Sequence, residues 1–469
     1  MFNQNLLLSP DSYKHSHPFQ LPPGATRAYS YIESRGGRFD HVLFFGLQMF
    51  LCKLERGFSY RDIRAAEEIL ALHGMPFDAA AWRSMHRKHN GRLPISIKAL
   101  KEGTRVPIGC MMTSIENTDP EFRWLAQFLE SPLLRAVWYP TTVAATSFEA
   151  KRLIASALRQ TSDNADAVLP FMLHDFGARG VSSAESAAIG GVAHLVNFKG
   201  SDTLEAVVAA REFYSERMAG FSIPAAEHFT ITSWGQDNEG AAYRNMLEKF
   251  GKPGAKFAVV SDSYDLMHAV NNIWGGDLHH DVMNSGATLI VRPDSGDPTT
   301  IPIDVVEALS KRFGCTVNSK GFKVLPDCVR VIQGDGITIE TIPTIIANMK
   351  AAGFSLENLA FGMGGGLLQQ VNRDTQQFAQ KCSAIQIDGK WQDVFKQPKT
   401  DPRKNSKRGK LKVIWDEDAS DLVTVRQDSS ERPDQMIEVF RDGEILVHHT
   451  LSDIRDRADA ALLAAGENL

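Results

Sequence analysis

Between about residues 170 and 390, short apolar runs end in residues that can do chemistry. "FMLHDFG" (171–177) ends on His174 and Asp175, and "FAVVSDS" (257–263) on Asp262. "TLIVRPDSG" (288–296) ends on Arg292 and Asp294, and "VRVIQGDG" (329–336) on Asp335. "NLAFGMGGG" (358–366) closes on Gly364–Gly366, and "CSAIQID" (382–388) completes the series. Carboxylates accept hydrogen bonds from ribose hydroxyls or share Mg²⁺ with a phosphate, and arginine forks onto phosphate oxygens. Glycines ahead of an apolar helix expose backbone N–H groups, which suits an anion. "FGMGGGLLQQ" is neither a Walker A loop nor a dinucleotide fingerprint. The set therefore points to a phosphorylated sugar or nucleotide. The competing reading makes each tip a helix cap or a turn former.

His228, in "SIPAAEHFTITSWG" (222–235), joins these residues as a candidate reactive group. Read alone, it is better explained by a histidine filling space in a core. A reactive histidine needs a neutral ring, access to the acceptor, and a carboxylate on its other nitrogen. Glu227 adjoins it, but neighbours on a strand point to opposite faces, so in an extended segment Glu227 cannot orient the ring. Asp262, from the next strand end, is the better candidate.

The elements that must hold these residues follow from the spacing. Asp262, Asp294, Asp335 and Gly364 are separated by 32, 41 and 29 residues. Stretches of helical period lie between the runs, as in "TLEAVVAAREFYSERM" (203–218), "YDLMHAVNNIWGG" (264–276) and "TIETIPTIIANMKAAG" (338–353). Strands alternating with helices at that interval predict a parallel α/β sheet closed as a βα barrel, with the polar tips on one face.

Residues 151–389 form this barrel domain in the expected division. Residues 1–150 and 390–469 together form a second, mixed α/β domain. Its strands are expected at "TRAYSYIESR", "LPISIKALKEG", "KVIWDED", "VTVRQD" and "MIEVFRDGEILVHHTL", with a hairpin at Asp442–Gly443 and a helix over 121–138. The run "KQPKTDPRKNSKRGKLK" (396–412) carries eight basic residues against one acidic. It is a solvated loop or the edge of a phosphate site.

At 469 residues two domains are the default. A net charge of -5 argues against nucleic acid or an anionic membrane as the main partner. Five cysteines without a Cys-x-x-Cys pair fit neither a disulfide framework nor a structural zinc, and favour reduced thiols in a cytoplasm. The N-terminus lacks the pattern of a signal peptide, and no apolar run is long enough to span a bilayer.

With "DSYKHSH", "YSYIESR", "ENTDPE", "HDFGARGVSS", "AHLVNFKGSD", "IPAAEHFTIT", "VVSDSYD", "VRPDSG", "RVIQGDG", "FGMGGGLLQ", "KCS" and "VFKQP" in this order, the chain resembles the nicotinamide phosphoribosyltransferases, within the type II phosphoribosyltransferase family, over nearly its whole length. The resemblance implies synthesis of nicotinamide mononucleotide and diphosphate from nicotinamide and phosphoribosyl diphosphate, with Mg²⁺, in NAD salvage. It implies a homodimer with active sites at the subunit interface. Phe176 would stack on one face of the pyridine and Tyr13, from the other subunit, on its second face. Arg179 and Asp202 would hold the carboxamide, since Asp202 accepts from an amide and repels the carboxylate of nicotinate.

Asp294 and Asp335 would contact the ribose and the Mg-bound diphosphate, with Arg292 nearby. Gly334, Gly364 and Gly365 would cradle the 5′-phosphate. Arg373, Lys381, Lys396 and Lys404 would surround the phosphates with Arg35 of the other subunit. His228 corresponds to a histidine phosphorylated by ATP as co-substrate. Ala178, Met363 and Ala258 depart from the family pattern and bear on the shape of the pyridine tunnel, and the connection after Arg35 is short. The alternatives are a nicotinate phosphoribosyltransferase and a non-enzymatic binder retaining the fold.

Overall fold

The computed structural model describes residues 5–400 and 405–466. They divide into two compact units. One takes the chain as far as Ala145, Glu212–Ser215 and Asn372–Ala461; the other takes Thr146–Arg211, Glu216–Val371 and the chain from Leu462. The division therefore falls at 145 and 372, where the sequence reading set 150 and 390.

The first unit is built on a seven-stranded antiparallel sheet. Its spatial order is Lys390–Asp393, Phe378–Ile387, Ala25–Ser34, Met111–Asn117, Ile95–Ala99, Ile437–Arg441 and Glu444–Ile445. Asp442 and Gly443 both take positive φ (50° and 90°), as a tight hairpin requires. The helix Tyr60–His73 starts on a Ser59–Asp62 capping box and stops at Gly74 in the left-handed region. It buries Ile63, Ala66 and Leu70, three positions on one stripe, in the core of this unit. Phe378–Ile387 corrects one expectation. "CSAIQID" is not a further barrel strand but pairs antiparallel with Ala25–Ser34. A short apolar run does not say which partner it will find; the long-range pairing decides.

The second unit carries six parallel strands: β1 (Leu173–Asp175), β2 (Gly200–Ser201), β3 (Lys256–Val260), β4 (Thr288–Arg292), β5 (Val329–Gln333) and β6 (Leu359–Met363). Their order is β2-β1-β6-β5-β4-β3. The stretch 221–226 joins the two edges. Ser201 N–H donates to the Phe221 carbonyl (3.1 Å), while Ala258 N–H donates to Pro224 and Ala226 N–H to Ala258 (2.9 Å each). The sheet is thus closed into a ring.

Strands buried on both faces read as continuous apolar runs, which is why "FAVV" and "TLIV" lack alternation. Helices Ala184–Leu195, Glu239–Phe250, Ile301–Phe313 and Thr341–Ala351 separate the strands, as does the π-helix Ala269–Asp277. All six strands run one way, so their C-terminal ends open at one mouth. No helix among the described residues is long and apolar enough to cross a membrane.

Candidate active site

Most of the residues expected from the second unit lie at or just after a strand end at this mouth, and His228 follows the 221–226 stretch. After β1 comes Phe176. Its ring rests on glycine: a Cβ at Gly362 would lie 2.0 Å from its Cε2, and one at Gly334 would lie 3.1 Å away. A Cβ at Gly334 would also lie 3.5 Å from Asp294 Oδ1, so Phe176 and Asp294 approach this glycine together. Glycine at 362 serves ring seating here. Arg179 is exposed on the short turn Ala178–Gly180. Asp175, grouped with the reactive tips by sequence, is fully buried instead. Its Oδ1 accepts from Gly177 N–H (2.7 Å) and its Oδ2 from the Ser201 hydroxyl (3.2 Å), so it shapes the loop that presents Phe176.

His228 does not continue a strand. It is the first residue of the short helix His228–Thr232, capped by Glu227 through a reciprocal box with Thr230. Glu227 is therefore occupied with the backbone, and the His228 ring turns to the barrel mouth. Its Nε2 lies 3.0 Å from Asp262 Oδ1 and its Nδ1 3.9 Å from Asp294 Oδ2. The Asp262 side chain is only 4% exposed, whereas that of His228 is 47% exposed. The second oxygen of Asp262 accepts from Asp294 N–H (3.1 Å) and the Ser295 hydroxyl (2.5 Å). A neutral ring donating from Nε2 leaves the Nδ1 lone pair free toward the mouth.

Burial, followed by the charges of Asp262 and Asp335, pushes the Asp294 carboxyl above the ordinary range, with Arg292 and His228 acting against them. Asp335 is exposed beside these groups. Arg292 Nη2 is 3.7 Å from Asp294, and its Nε is buried without a hydrogen-bond partner. Such an orphaned donor suits an incoming oxygen.

Asp202, after β2, accepts from His174 Nε2 (3.0 Å) and from the Ser222 hydroxyl, both on Oδ1. Burial works to raise its carboxyl, but the bonds from His174 and Ser222 and the nearby Arg292 hold it below the usual range. The carboxylate is ionised at neutral pH and its orientation is fixed. After β6, Gly364 opens the one-turn helix Gly365–Leu368, and a Cβ on Gly365 would meet nothing closer than 4.0 Å. Met363 is buried at the end of β6, Ala258 lies within β3 against the 221–226 stretch, and Ala178 is exposed.

The first unit gathers a basic cluster of its own. Lys381 lies opposite Tyr31 in the sheet. Burial, with the like charges of Arg35, Lys396 and Arg373, keeps its ammonium below the ordinary lysine range, and Glu130 acts the other way. Such a grouping of cations suits an anion. Tyr13 is 53% exposed, edge-on to His17. Lys404 lies outside the described residues. Ser222 and Ser295 escaped the sequence reading, although both sit beside motif residues and only the fold shows which carboxylates they hold.

The model of the nicotinate phosphoribosyltransferase (NAPRTase) family matches residues 171–444, more than half of the chain. The nicotinamide phosphoribosyltransferase N-terminal domain model matches residues 5–97. The chain is 49% identical to a nicotinamide phosphoribosyltransferase of Xanthomonas campestris pv. campestris, over 98% of this chain and 99% of that protein. It is 31% identical to one of Acinetobacter baylyi, over 97% of each. Among solved structures, the nicotinate-nucleotide pyrophosphorylase of Pyrococcus furiosus superposes with a TM-score of 0.64 at 15% identity, covering 100% of this chain and 98% of that one. That likeness speaks for the fold alone.

Proposed function

The chain belongs to the nicotinate phosphoribosyltransferase family, and from that premise we propose that it makes nicotinamide mononucleotide and diphosphate from nicotinamide and phosphoribosyl diphosphate, in NAD salvage. The observation that carries the choice of nicotinamide is Asp202. An ionised, hydrogen-bonded carboxylate accepts from a carboxamide NH₂ and repels nicotinate. Phe176 stacks on the pyridine, and Arg179 reaches the carboxamide oxygen. Tyr13 of the partner subunit covers the second face in a homodimer. Five free cysteines accord with a cytoplasmic place.

Diphosphate leaves the anomeric carbon as positive charge develops on the ribose, and the pyridine nitrogen forms the new bond. That nitrogen carries no proton, so no general base is required. Catalysis is positioning together with stabilisation of the leaving group. Asp294 and Asp335 accept from the ribose hydroxyls, and Arg292 lies beside them. Gly334, Gly364 and Gly365 admit the 5′-phosphate. Arg373, Lys381, Lys396 and Lys404 neutralise phosphate oxygens, with Arg35 of the partner subunit.

No cluster of three or more metal-ligating side chains exists among the described residues. This fits a Mg²⁺ held by one or two carboxylates, Asp294 and Asp335, together with the diphosphate, rather than by a protein cage. Bound there, it would neutralise developing charge on the leaving group.

ATP is the co-substrate in this reading. Nδ1 of His228 attacks the γ-phosphorus, the bond to the β-phosphate oxygen breaks, and ADP leaves. Asp262 stabilises the ring through Nε2–H.

The test is turnover on nicotinamide with nicotinate alongside. Nucleotide from nicotinamide alone, and nicotinate activity gained by Asp202→Asn, supports the reading. Preference for nicotinate overturns it, and no turnover by folded protein would favour a binder.

A further inference from the structure

Glu33 is an ionisable group that the reaction does not use. It lies in strand Ala25–Ser34, two residues before Arg35, and is 3% exposed. Its Oε2 accepts from the ammonium of Lys407, 374 residues away in sequence. The backbone N–H of the same Lys407 donates to the Tyr31 hydroxyl at 3.0 Å, and its ammonium lies 5.7 Å from the Tyr31 ring centre. One residue earlier, Ser406 is bound to Lys396 twice. Ser406 N–H donates to the Lys396 carbonyl (3.0 Å), and Lys396 N–H to the Ser406 hydroxyl (2.8 Å). Tyr31 is itself the sheet partner of Lys381. A continuous chain of contacts thus runs from Lys381 through Tyr31 and Glu33 to Lys407, Ser406 and Lys396.

Burying a carboxylate is costly unless it is paired and hydrogen-bonded. Burial raises the Glu33 carboxyl, and Lys407, Arg35 and Lys381 oppose that rise. A buried ion pair adds little net stability over an apolar pair but fixes geometry well. Its place at the root of the basic run points to register rather than stability.

We propose that Glu33 and Tyr31 form a latch which, by gripping Lys407, sets the position of Lys396 relative to Lys381 and so fixes the basic segment for diphosphate. Glu33 touches no substrate and is a positioning residue. The inference rests on the reading of Lys381 and Lys396 as phosphate ligands.

The test uses the full-length protein carrying Glu33→Gln, Tyr31→Phe, Lys407→Met, or Glu33→Gln with Lys407→Met. Loss of one charge-assisted bond should raise KM for phosphoribosyl diphosphate about tenfold or more in Glu33→Gln and Lys407→Met. KM for nicotinamide, and kcat at saturating phosphoribosyl diphosphate, should stay within about twofold. Trypsin should cut within 396–412 faster in each variant than in wild type.

Because Glu33→Gln leaves the Lys407 ammonium without its counter-charge, the double variant carries the decision. Its thermal midpoint should return toward the wild-type value while its KM stays as high as in either single variant. A double variant with wild-type KM and wild-type cutting rate overturns the latch. The trypsin arm does not depend on turnover. Faster cutting in variants of an enzyme that makes no nicotinamide mononucleotide would sink the proposed function and support the latch.

Discussion

Nε2 of His228 stands 3.0 Å from Oδ1 of Asp262, and the other oxygen of that carboxylate is held by the amide of Asp294 and the hydroxyl of Ser295. Asp262 is thus fixed before it fixes His228. In Asp262→Asn the side-chain amide can offer its N–H toward Nε2, which favours the wrong tautomer and places the ring proton on Nδ1. Stimulation by ATP should fall by about tenfold or more, while turnover without ATP stays within about threefold of wild type. Equal loss of both activities would show that Asp262 serves the transfer step itself.

Phe176 owes its place to Gly362. A methyl group there would sit 2.0 Å from the ring, so Gly362→Ala must unseat it. We expect KM for nicotinamide to rise about tenfold and stability to fall by about 1–3 kcal/mol, the range for overpacking. KM for phosphoribosyl diphosphate should change little. Steady-state kinetics with each substrate varied, beside a urea melt, check both; an unchanged nicotinamide KM contradicts the seating.

His174 and Ser222 both bond Oδ1 of Asp202. Removing them one at a time, as His174→Gln and Ser222→Ala, should loosen the carboxylate without removing its charge. The expected result is a nicotinamide KM raised about threefold to tenfold, from the loss of roughly one hydrogen bond each, with nicotinate still refused. Competition assays between the two pyridines read this directly. Nicotinate turnover in either variant would mean that charge alone does not exclude the acid.

Two buried histidines set an acid limit. Burial lowers both His15 and His194 to about 4, against a bond from the His15 ring to the Leu7 backbone in the first and the charge of Asp175 in the second. The unfolded chain therefore binds more protons than the native one between about pH 6.5 and 4. Their contribution is complete above 6.5 and is lost as pH falls toward 4, on the order of 3 kcal/mol for each. Urea midpoints from pH 7.5 to 5 should fall accordingly, and the slope should shrink in His15→Gln. A flat profile over that interval contradicts it.

The barrel was legible because its strands are buried on both faces, which leaves apolar runs ending in polar tips. The closing stretch 221–226 was not, since single bridges on either side impose no period on the sequence. The helix at His228 was hidden for a related reason. One turn capped by Glu227 and Thr230 looks like the strand its Thr and Ile suggest. Asp175 and Asp262 occupy similar tips, yet one shapes a loop and the other serves the histidine; only their partners separate them. The same holds for Phe378–Ile387 and for the Glu33–Lys407 pair, whose meaning arises from contacts hundreds of residues apart.

The most direct measurement is formation of nicotinamide mononucleotide, with and without ATP, by wild type and His228→Ala. Product from nicotinamide is expected in both proteins, raised by ATP in wild type alone, with ADP released in step. Equal stimulation in His228→Ala, or none in wild type, would contradict the role given to His228.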